Sequence, residues 1–300
     1  MSGRPILVTG AGGPAGRSLV RQLQERGLPV VGVDAEPVEI PGVDTRVVPL
    51  ARSAAFVPVL LARARDWGAR LVVPTVSEEL PALAAHVAVP DPPGHRVPIV
   101  VGDRAAVALA DDKWLTERAL RDAGLTTPRT LWPVPDDPDG VAGPLGLPFL
   151  TKPRVGRGGR GVVLHAQPPS ARTEWGARVL AQEFLPGTEY GPNVYVAAEP
   201  DDDVVVVLEK VGLAQGAVGN ATSVRRVEAQ DVAALARAAA RALGLRGPVD
   251  VDIRRRASGE PAVLELNARF GANSAHAPEM LDALLGEYAG PVDTLARATR

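Results

Sequence analysis

Cysteine is absent from the 300-residue sequence, which excludes disulfides, a thiolate nucleophile and any cysteine-ligated metal site. An excess of basic charge is also lacking, because 33 lysines and arginines stand against 35 aspartates and glutamates, for a net charge of −2. This balance argues against a nucleic-acid partner, and we interpret the short basic run from Arg254 to Arg256 as a solvated hairpin end. A small molecule is therefore the expected partner.

Long apolar runs are missing as well. No stretch of 18 uncharged residues occurs, and the first residues, MSGRPILVTG, lack a basic segment followed by an apolar one. We therefore expect no membrane partner and a cytoplasmic location. Nothing in the sequence fixes the oligomeric state, and a homodimer is taken as a working assumption.

Lysine is scarce, since it fills only three of the 33 basic positions: Lys113, Lys152 and Lys210. This bias is typical of a GC-rich genome that encodes arginine wherever either cation serves. Because a compact ammonium meets a phosphate oxygen differently from a planar guanidinium, the three lysines are candidates for functional positions.

The first hundred residues alternate strand and helix. Residues 5–34 read as strand, glycine turn, helix and strand, and further strands are predicted near residues 46–49, 71–73 and 97–101. Helices are predicted over residues 54–67 and from Ser77. We interpret Ser77 as a helix cap that is followed by acidic residues in the first turn. The pattern predicts a five-stranded, mainly parallel sheet. Thr75 and Glu78 follow a strand end and are secondary candidates for substrate contacts.

Glycines at positions 10, 13 and 16 lie between the first strand and helix, and Asp34 follows the second strand. Such a turn binds dinucleotides in some proteins, with the acid on a ribose. The same glycines also serve simply for close helix-to-strand packing. We favour packing, because no tyrosine has a lysine four residues later and nothing else suggests hydride transfer.

The middle of the chain contains a helical segment with Asp111 or Asp112 as a cap before Lys113, and then a Pro- and Gly-rich stretch over residues 133–148 that we interpret as a linker. Residues 149–165 follow as a strand carrying Lys152, a loop with glycines at 156, 158, 159 and 161, and a second strand. Unlike a P-loop, this loop does not lead into a helix. It resembles a flap that folds over phosphates, although a mobile hairpin without a ligand has a similar pattern.

Residues 179–190, VLAQEFLPGTEY, predict a strand that ends in a Pro-Gly turn. Adenine recognition needs exposed backbone N–H and C=O groups, apolar contacts and an acceptor for the ribose. Phe184, Leu185 and Glu189 fit these needs.

Residues 247–273 predict a hairpin with an acidic face. Counting outward from a four-residue loop at 257–260 pairs Arg256 with Pro261, Asp252 with Glu265, and Asp250 with Asn267. Carboxylates placed opposite each other need solvent, a raised pKa or a cation. Oxygen ligands without His or Cys suit Mg²⁺, and a solvated surface hairpin is the alternative.

Together these features resemble the ATP-grasp superfamily, in particular its carbamoyl-phosphate-synthetase-like branch. The resemblance rests on the DDKW segment, the strand lysine with its glycine flap, the QEFLPGTEY hinge, and the pattern of Asp252, Glu265 and Asn267 followed by Arg269. Residues 190–193 and Asp250 depart from the family pattern, so the resemblance says less about the substrate than about the nucleotide.

The resemblance implies a role for each matching residue. Lys113 and Lys152 look like the phosphate cations, with Gly158 and Gly159 in the flap above them. Glu183, with the backbone of Phe184 and Leu185, is implied as the adenine hinge, and Glu189 as the ribose ligand. The implied metal ligands are Asp252, Glu265 and Asn267. Arg269 is similar to the arginine that steadies the transferring phosphoryl group, Lys210 is implied as a second catalytic cation, and Asn273 lies in a loop facing the substrate.

The implied fold is α/β, α+β in its C-terminal part, with a Rossmann-like pre-ATP-grasp domain at residues 1–102. A helical segment and linker at 103–148, a lid with the glycine flap at 149–190 and a catalytic subdomain at 191–300 follow it. The implied function is an ATP- and Mg²⁺-dependent ligase that joins a small carboxylate to an amine through an acyl phosphate. Alternatives are phosphorylation of bicarbonate or carbamate, and an NAD(P)-binding oxidoreductase or nucleotide sensor.

Overall fold

The structure, a computed structural model, describes residues 3–90, 97–216 and 218–288. It is a mixed α/β fold with one parallel sheet and two antiparallel sheets. No helix in these ranges is long and apolar enough to cross a membrane.

The N-terminal sheet is entirely parallel and has the strand order β3-β2-β1-β4. Its strands are β1 (Ile6–Val8), β2 (Val30–Asp34), β3 (Asp44–Val47) and β4 (Leu71–Val73). The helices are α1 (Pro14–Glu25), α2 (Phe56–Asp66) and α3 (Leu80–Val87), and a short 3-10 turn (Ser77–Glu79) precedes α3. The predicted fifth strand is reduced to one parallel bridge between Val72 and Ile99, so the sheet has four strands.

Two further helices, α4 (Arg104–Asp111) and α5 (Lys113–Asp122), follow the N-terminal sheet. Asp112 caps α5 by accepting hydrogen bonds from the backbone N–H groups of Trp114 and Leu115, so the second of the two predicted caps is confirmed. The cap places Lys113 at the first position of α5. The stretch that we interpreted as a linker contains α6 (Pro138–Leu145), with Pro138 in its first turn and Asp137 as its cap.

The small sheet is antiparallel in the order β5-β8-β6-β7. Its strands are β5 (Thr130–Leu131), β6 (Phe149–Pro153), β7 (Val163–His165) and β8 (Val179–Glu183). The glycine loop connects β6 to β7, which gives the predicted order of strand, loop and strand. Strand β5 precedes the expected start of the lid at residue 149 but pairs with β8.

The large sheet has seven strands. They are β9 (Glu189–Tyr190), β10 (Asn193–Val196), β11 (Val204–Val206), β12 (Leu208–Gln215), β13 (Val218–Arg226), β14 (Gly247–Arg255) and β15 (Pro261–Asn267). Helix α7 (Gln230–Ala242) precedes β14, and α8 (Glu279–Glu287) follows β15. Strand β9 pairs with β12 and β14, so Glu189 belongs to the large sheet.

The hairpin β14–β15 has one apolar and one polar face. Val251, Ile253 and Leu266 are buried in a core that also receives α7. Because side chains alternate along a strand, Asp250, Asp252 and Glu265 face the opposite way, toward a cleft between the sheets. Apolar burial on one face thus fixes the polar face.

Candidate active site

A cleft of about 380 Å³ is bordered by the two antiparallel sheets, the glycine loop and the first turns of α1 and α5. Two helices (α1 and α5) and seven strands (β6, β8, β9, β12, β13, β14 and β15) contribute to it. The predicted site residues that line it are Lys113, Lys152, Gly158, Gly159, Glu189, Lys210, Asp252, Glu265, Asn267, Arg269 and Asn273. The structure thus brings together predicted residues that lie up to 160 positions apart in the chain, as Lys113 and Asn273 do.

The register of the hairpin aligns its polar residues. Asp252 pairs with Glu265, and Asp250 pairs with Asn267, as predicted. The predicted pairing of Arg256 with Pro261 is wrong, because Arg255 occupies that position. An irregularity between Asp252 and Ile253 absorbs the one-residue difference, so the turn end and the cleft end have different registers.

Lys210 connects two of the carboxylates. Its Nζ donates to Glu189 Oε1 at 2.6 Å and to Asp252 Oδ1 at 2.7 Å. Burial works to lower the pKa of Lys210, but Asp252 and Glu189 outweigh it and raise that pKa above its usual range. Lys210 is therefore a fixed cation, committed to the chain's own acids.

Lys113 serves the other end of the acidic face. Its Nζ lies 3.1 Å from Glu265 Oε2 and donates to the carbonyl oxygen of Gly156 at 2.6 Å. The second contact ties the first turn of α5 to the glycine loop. Lys113 thus links the predicted metal ligands to the flap.

Lys152 differs from both. Its side chain on β6 is buried, with 7% of the residue exposed, and its ammonium has no hydrogen bond or ion pair within the part of the chain that the structure describes. Burial, with the nearby charge of Lys113, lowers the pKa of Lys152 to about 8. A buried cation that lines a cleft without a partner is a binding position for an anion.

Arg269 follows β15 directly and also lines the cleft. Its Nη1 donates to Asp250 Oδ2 at 2.8 Å and to the carbonyl oxygen of Phe270 at 3.0 Å, and its Nε donates to Ser77 Oγ at 3.1 Å. Burial raises the pKa of Asp250, against the lowering effect of Arg269. A Cβ at Gly271 would lie 2.6 Å from Asp250 Oδ1, so only glycine fits over this carboxylate.

The glycine loop crosses the cleft and is held at its far side. Positive φ angles occur at Gly158, Gly159 and Gly161, which favours glycine at each position. Arg157 in this loop forms an ion pair with Asp111 and lies 3.6 Å from Glu78 of the N-terminal part. The loop is therefore in a closed position over the lysines.

The predicted adenine hinge is not part of the cleft wall. Glu183 accepts hydrogen bonds from Arg256 at 2.7 Å and from the backbone N–H of Arg129 at 3.1 Å. Burial would raise the pKa of Glu183, but these hydrogen bonds lower it below its usual value. Phe184 lies against the Arg254 guanidinium at 4.9 Å, and Leu185 is buried.

Several cleft residues were missed in the sequence. Arg254 was expected in a solvated hairpin end, yet it is buried, lines the cleft and donates to Glu189 Oε2 at 3.3 Å. Arg255 and Arg256 also form ion pairs, so the interpretation of this run was wrong. Alternation along β14 was the available signal, because it places Arg254 on the same face as Asp252 and Asp250.

The predicted cap at Ser77 is also wrong. The 3-10 turn has Val76 at its cap position and no side-chain cap, while Ser77 Oγ binds Arg269. Thr75 donates its hydroxyl to the carbonyl oxygen of Thr9, and neither Thr75 nor Glu78 lines the cleft. No local sequence signal reveals a partner 192 residues away.

The N-terminal glycine turn is occupied by the chain's own groups. Asp34 accepts from the backbone N–H of Gly12 at 2.8 Å and from that of Ala35 at 2.7 Å. A Cβ at Gly16 would lie 2.1 Å from the carbonyl oxygen of Gly10. These contacts favour the packing interpretation of the turn over the dinucleotide interpretation.

The predicted metal ligands fit a hard cation by their chemistry. They are two carboxylates and one amide, and the amide of Asn267 has no side-chain hydrogen bond in the described ranges. Across those ranges, no group of three or more His, Cys, Asp or Glu could hold a metal ion. An ion here would therefore need water or phosphate oxygens as further ligands, which is usual for Mg²⁺.

Comparison with known proteins places the chain among related sequences. A family model described as an ATP-grasp domain matches residues 110–273. The D-alanine--D-alanine ligase of Azoarcus sp. (strain BH72) is 29% identical over 186 residues, covering 55% of this chain and 59% of that protein. The corresponding ligase of Aromatoleum aromaticum is 33% identical over 193 residues, covering 59% and 62%. The chain therefore spans about three fifths of the length of these relatives.

Solved structures share the fold. L-amino acid ligase from Bacillus licheniformis superposes with a TM-score of 0.65 at 18% identity, covering 92% of this chain and 70% of that one. Carboxyaminoimidazole ribonucleotide synthase from Aspergillus clavatus, complexed with ATP, gives a TM-score of 0.66 at 19% identity, with 89% and 70% covered. At this level of identity the likeness concerns architecture.

Proposed function

The chain belongs to the ATP-grasp domain family, and we propose that it is an ATP-dependent, ADP-forming ligase that joins a small carboxylate to an amine. The observation that carries the proposal is Lys152, a buried cation without a partner in the described ranges, in the same cleft as Asp252 and Glu265. Nucleotide phosphates with a divalent cation satisfy both groups at once. A solvated acidic hairpin would need no such lysine.

The nucleotide would lie between the small and large sheets. Lys152 and Lys113 bind its phosphates, and the closed glycine loop with Gly158 and Gly159 covers them. Glu189, on the cleft wall, binds the ribose, and adenine extends beyond that wall to the backbone of Phe184 and Leu185. The hinge assignment is supported by the peptide groups of Phe184 and Leu185, which form no backbone hydrogen bond with other described residues.

Asp252, Glu265 and Asn267 would hold Mg²⁺, which supplies charge neutralisation to the phosphates when bound. In the structure, Lys210 and Lys113 neutralise the two carboxylates. Lys210 keeps Asp252 and Glu189 at a fixed separation and adds positive charge beside the phosphates.

The proposed reaction has two steps. A carboxylate oxygen of the substrate forms a bond to the γ-phosphorus, the bond to the bridging oxygen of ADP breaks, and an acyl phosphate results. The amine nitrogen then bonds to the acyl carbon, phosphate leaves with its oxygen, and the amine gives up a proton. Arg269 offsets charge on the transferring group, and the glycine loop excludes water from the acyl phosphate.

Two assignments of domains accompany this proposal. The parallel-sheet part up to residue 102 is the Rossmann-like pre-ATP-grasp domain. The small sheet, residues 130–183, is the lid, which extends the sequence-based start at residue 149 back to β5 and ends it before β9. Pairing of β5 with β8, and of β9 with β14, supports these limits. The homodimer stays a prediction that sedimentation would check.

The experiment is ADP release from Mg²⁺-ATP across pooled carboxylic acids and amines, with product masses recorded. ADP formed only with one acid and one amine, with a product one water lighter than their sum, is the expected result. ADP formation that requires bicarbonate instead would favour carboxyl phosphate chemistry. Tight NADH binding without ATP binding would contradict the proposal.

A further inference from the structure

Arg269 is held on three sides by acceptors from different parts of the chain. Ser77 Oγ accepts from Nε, and Asp250 Oδ2 and the Phe270 carbonyl oxygen accept from Nη1. Nη2 has no partner within the described ranges, and the side chain is only 15% exposed. A guanidinium with two of its nitrogens fixed has little rotational freedom, because its five donors form a rigid planar fork.

Ser77 belongs to the N-terminal part and begins the 3-10 turn after β4, whereas Arg269 follows β15 of the large sheet. Ser77 is buried, and its hydroxyl is not used as a helix cap. Its only hydrogen bond through the side chain in the described ranges is to Arg269. The N-terminal part is therefore connected to the cleft through the hydrogen bond that Ser77 Oγ accepts from Arg269, which lines the cleft.

Asp250 is the second side chain that holds the Arg269 guanidinium. Its carboxylate lies under the backbone of Gly271, so the chain can pass over it only as glycine. This packing prevents Asp250 from turning away, and the ion pair at 2.8 Å balances the charge of Arg269. Ser77 and Asp250 thus fix the position and the orientation of the guanidinium respectively.

We propose that Ser77 is a positioning residue that acts through Arg269, holding its guanidinium together with Asp250 so that Nη2 remains the donor available to the transferring group. The inference rests on the proposed function, because it assigns Arg269 to that group. It also gives the N-terminal part a role, through Arg269, in the chemistry of a cleft built mainly by the two antiparallel sheets.

The test is a double-mutant cycle with Ser77→Ala, Arg269→Lys and both changes together. Ser77→Ala is expected to lower kcat about tenfold, the effect of losing one hydrogen bond to a charged group, with KM for ATP changed less than about twofold. In the Arg269→Lys background, the same serine change is expected to have almost no further effect. Loss of kcat without loss of ATP binding separates positioning from a structural role.

Ser18→Ala is the matched control. Ser18 is also buried, and its hydroxyl forms a 3.0 Å hydrogen bond with Ser274 across the same contact between the N-terminal part and the region after β15. Its hydroxyl also accepts a hydrogen bond from Gln22 Nε2 at 3.2 Å and forms none with Arg269 in the described ranges. Ser18→Ala should therefore lower stability about as much as Ser77→Ala while kcat stays at the wild-type value.

Two results overturn the inference. Ser77→Ala with wild-type kcat would do so, and so would equal losses in the wild-type and Arg269→Lys backgrounds. A wild type that binds Mg²⁺-ATP but never releases ADP would contradict the proposed function instead. In that case the double-mutant cycle is measured on the unfolding equilibrium constant in urea. Additive effects of Ser77→Ala and Arg269→Lys would contradict an interaction between the two residues, and non-additive effects would support it.

Discussion

The N-terminal glycine turn and the cleft both combine glycines with carboxylates. In the turn, glycine is required by contact, since a Cβ at Gly16 would lie 2.1 Å from a carbonyl oxygen, and Asp34 is bound to the turn's own backbone. In the cleft, the loop glycines are required by positive φ, and Lys152 and Asn267 face open space without partners in the described ranges. Similar composition therefore serves packing in one region and, as proposed above, ligand binding in the other.

The largest effect should come from the cleft acids. Glu265→Gln removes a charge without removing volume, and we expect ADP release to fall about a thousandfold because the metal and phosphates lose a ligand. The free energy of unfolding should fall by about 1 to 3 kcal/mol, because the side chains of Lys113 and Glu265 are only 9% and 19% exposed and Lys113 keeps the Gly156 carbonyl oxygen as an acceptor. Steady-state ADP release and urea unfolding measure the two. Normal turnover in this variant would remove the metal assignment.

In the N-terminal glycine turn, a substitution should lower stability. Gly16→Ala forces a methyl group into backbone, and we expect the free energy of unfolding to fall by about 3 kcal/mol. Gly156→Ala in the flap is the matched control, because its φ is not positive and the nearest atom to a new Cβ would be 3.5 Å away. Urea denaturation compares the two. Equal stability of both variants would break the distinction drawn between the two glycine regions.

Lys152 gives the cleft a pH dependence. Burial lowers the pKa of Lys152 to about 8, so its ammonium is charged below that pH and neutral above it. KM for Mg²⁺-ATP should therefore rise up to about tenfold per pH unit above pH 8. Lys152→Arg keeps its charge and should show a flatter profile, measured from pH 6.5 to about 9.5 with saturating second substrates. Identical profiles for the two proteins would contradict this role.

The smallest effect is expected at Asp34. Asp34→Asn retains one acceptor for the turn but loses the charge, which should cost about 1 kcal/mol of stability. ADP release should stay at the wild-type rate, because Asp34 does not line the cleft. A loss of turnover without loss of stability would assign the turn a functional role.

The sequence predicted the parts of the site whose geometry is local. Alternation along β14 and β15 set Asp252 opposite Glu265, and this register is confirmed even though the turn end was misjudged by one residue. The alternation of apolar and polar residues does not reveal a bulge, because the apolar residues beyond the bulge are again buried on the same face of the hairpin. The glycine flap between two strands was also predicted, because the glycines that form its turns lie within a few residues of one another in the sequence.

Contacts made across the fold were not predictable in this way. Ser77 looked like a cap because serine before two acids usually is one, whereas its partner Arg269 becomes a neighbour only after the sheets assemble. Arg254 looked solvated because it belongs to a run of three arginines, yet each of the three finds an acid on another element. Composition does not tell a paired cation from a solvated one.

Isotope transfer tests the central claim most directly. The acid that supports ADP release is labelled with ¹⁸O in its carboxylate, and the phosphate released during ligation is analysed by mass. Formation of an acyl phosphate predicts one ¹⁸O atom per phosphate released, because the attacking carboxylate oxygen leaves with phosphorus. Phosphate that carries no ¹⁸O, together with full consumption of the acid, would contradict carboxylate activation by ATP in this cleft.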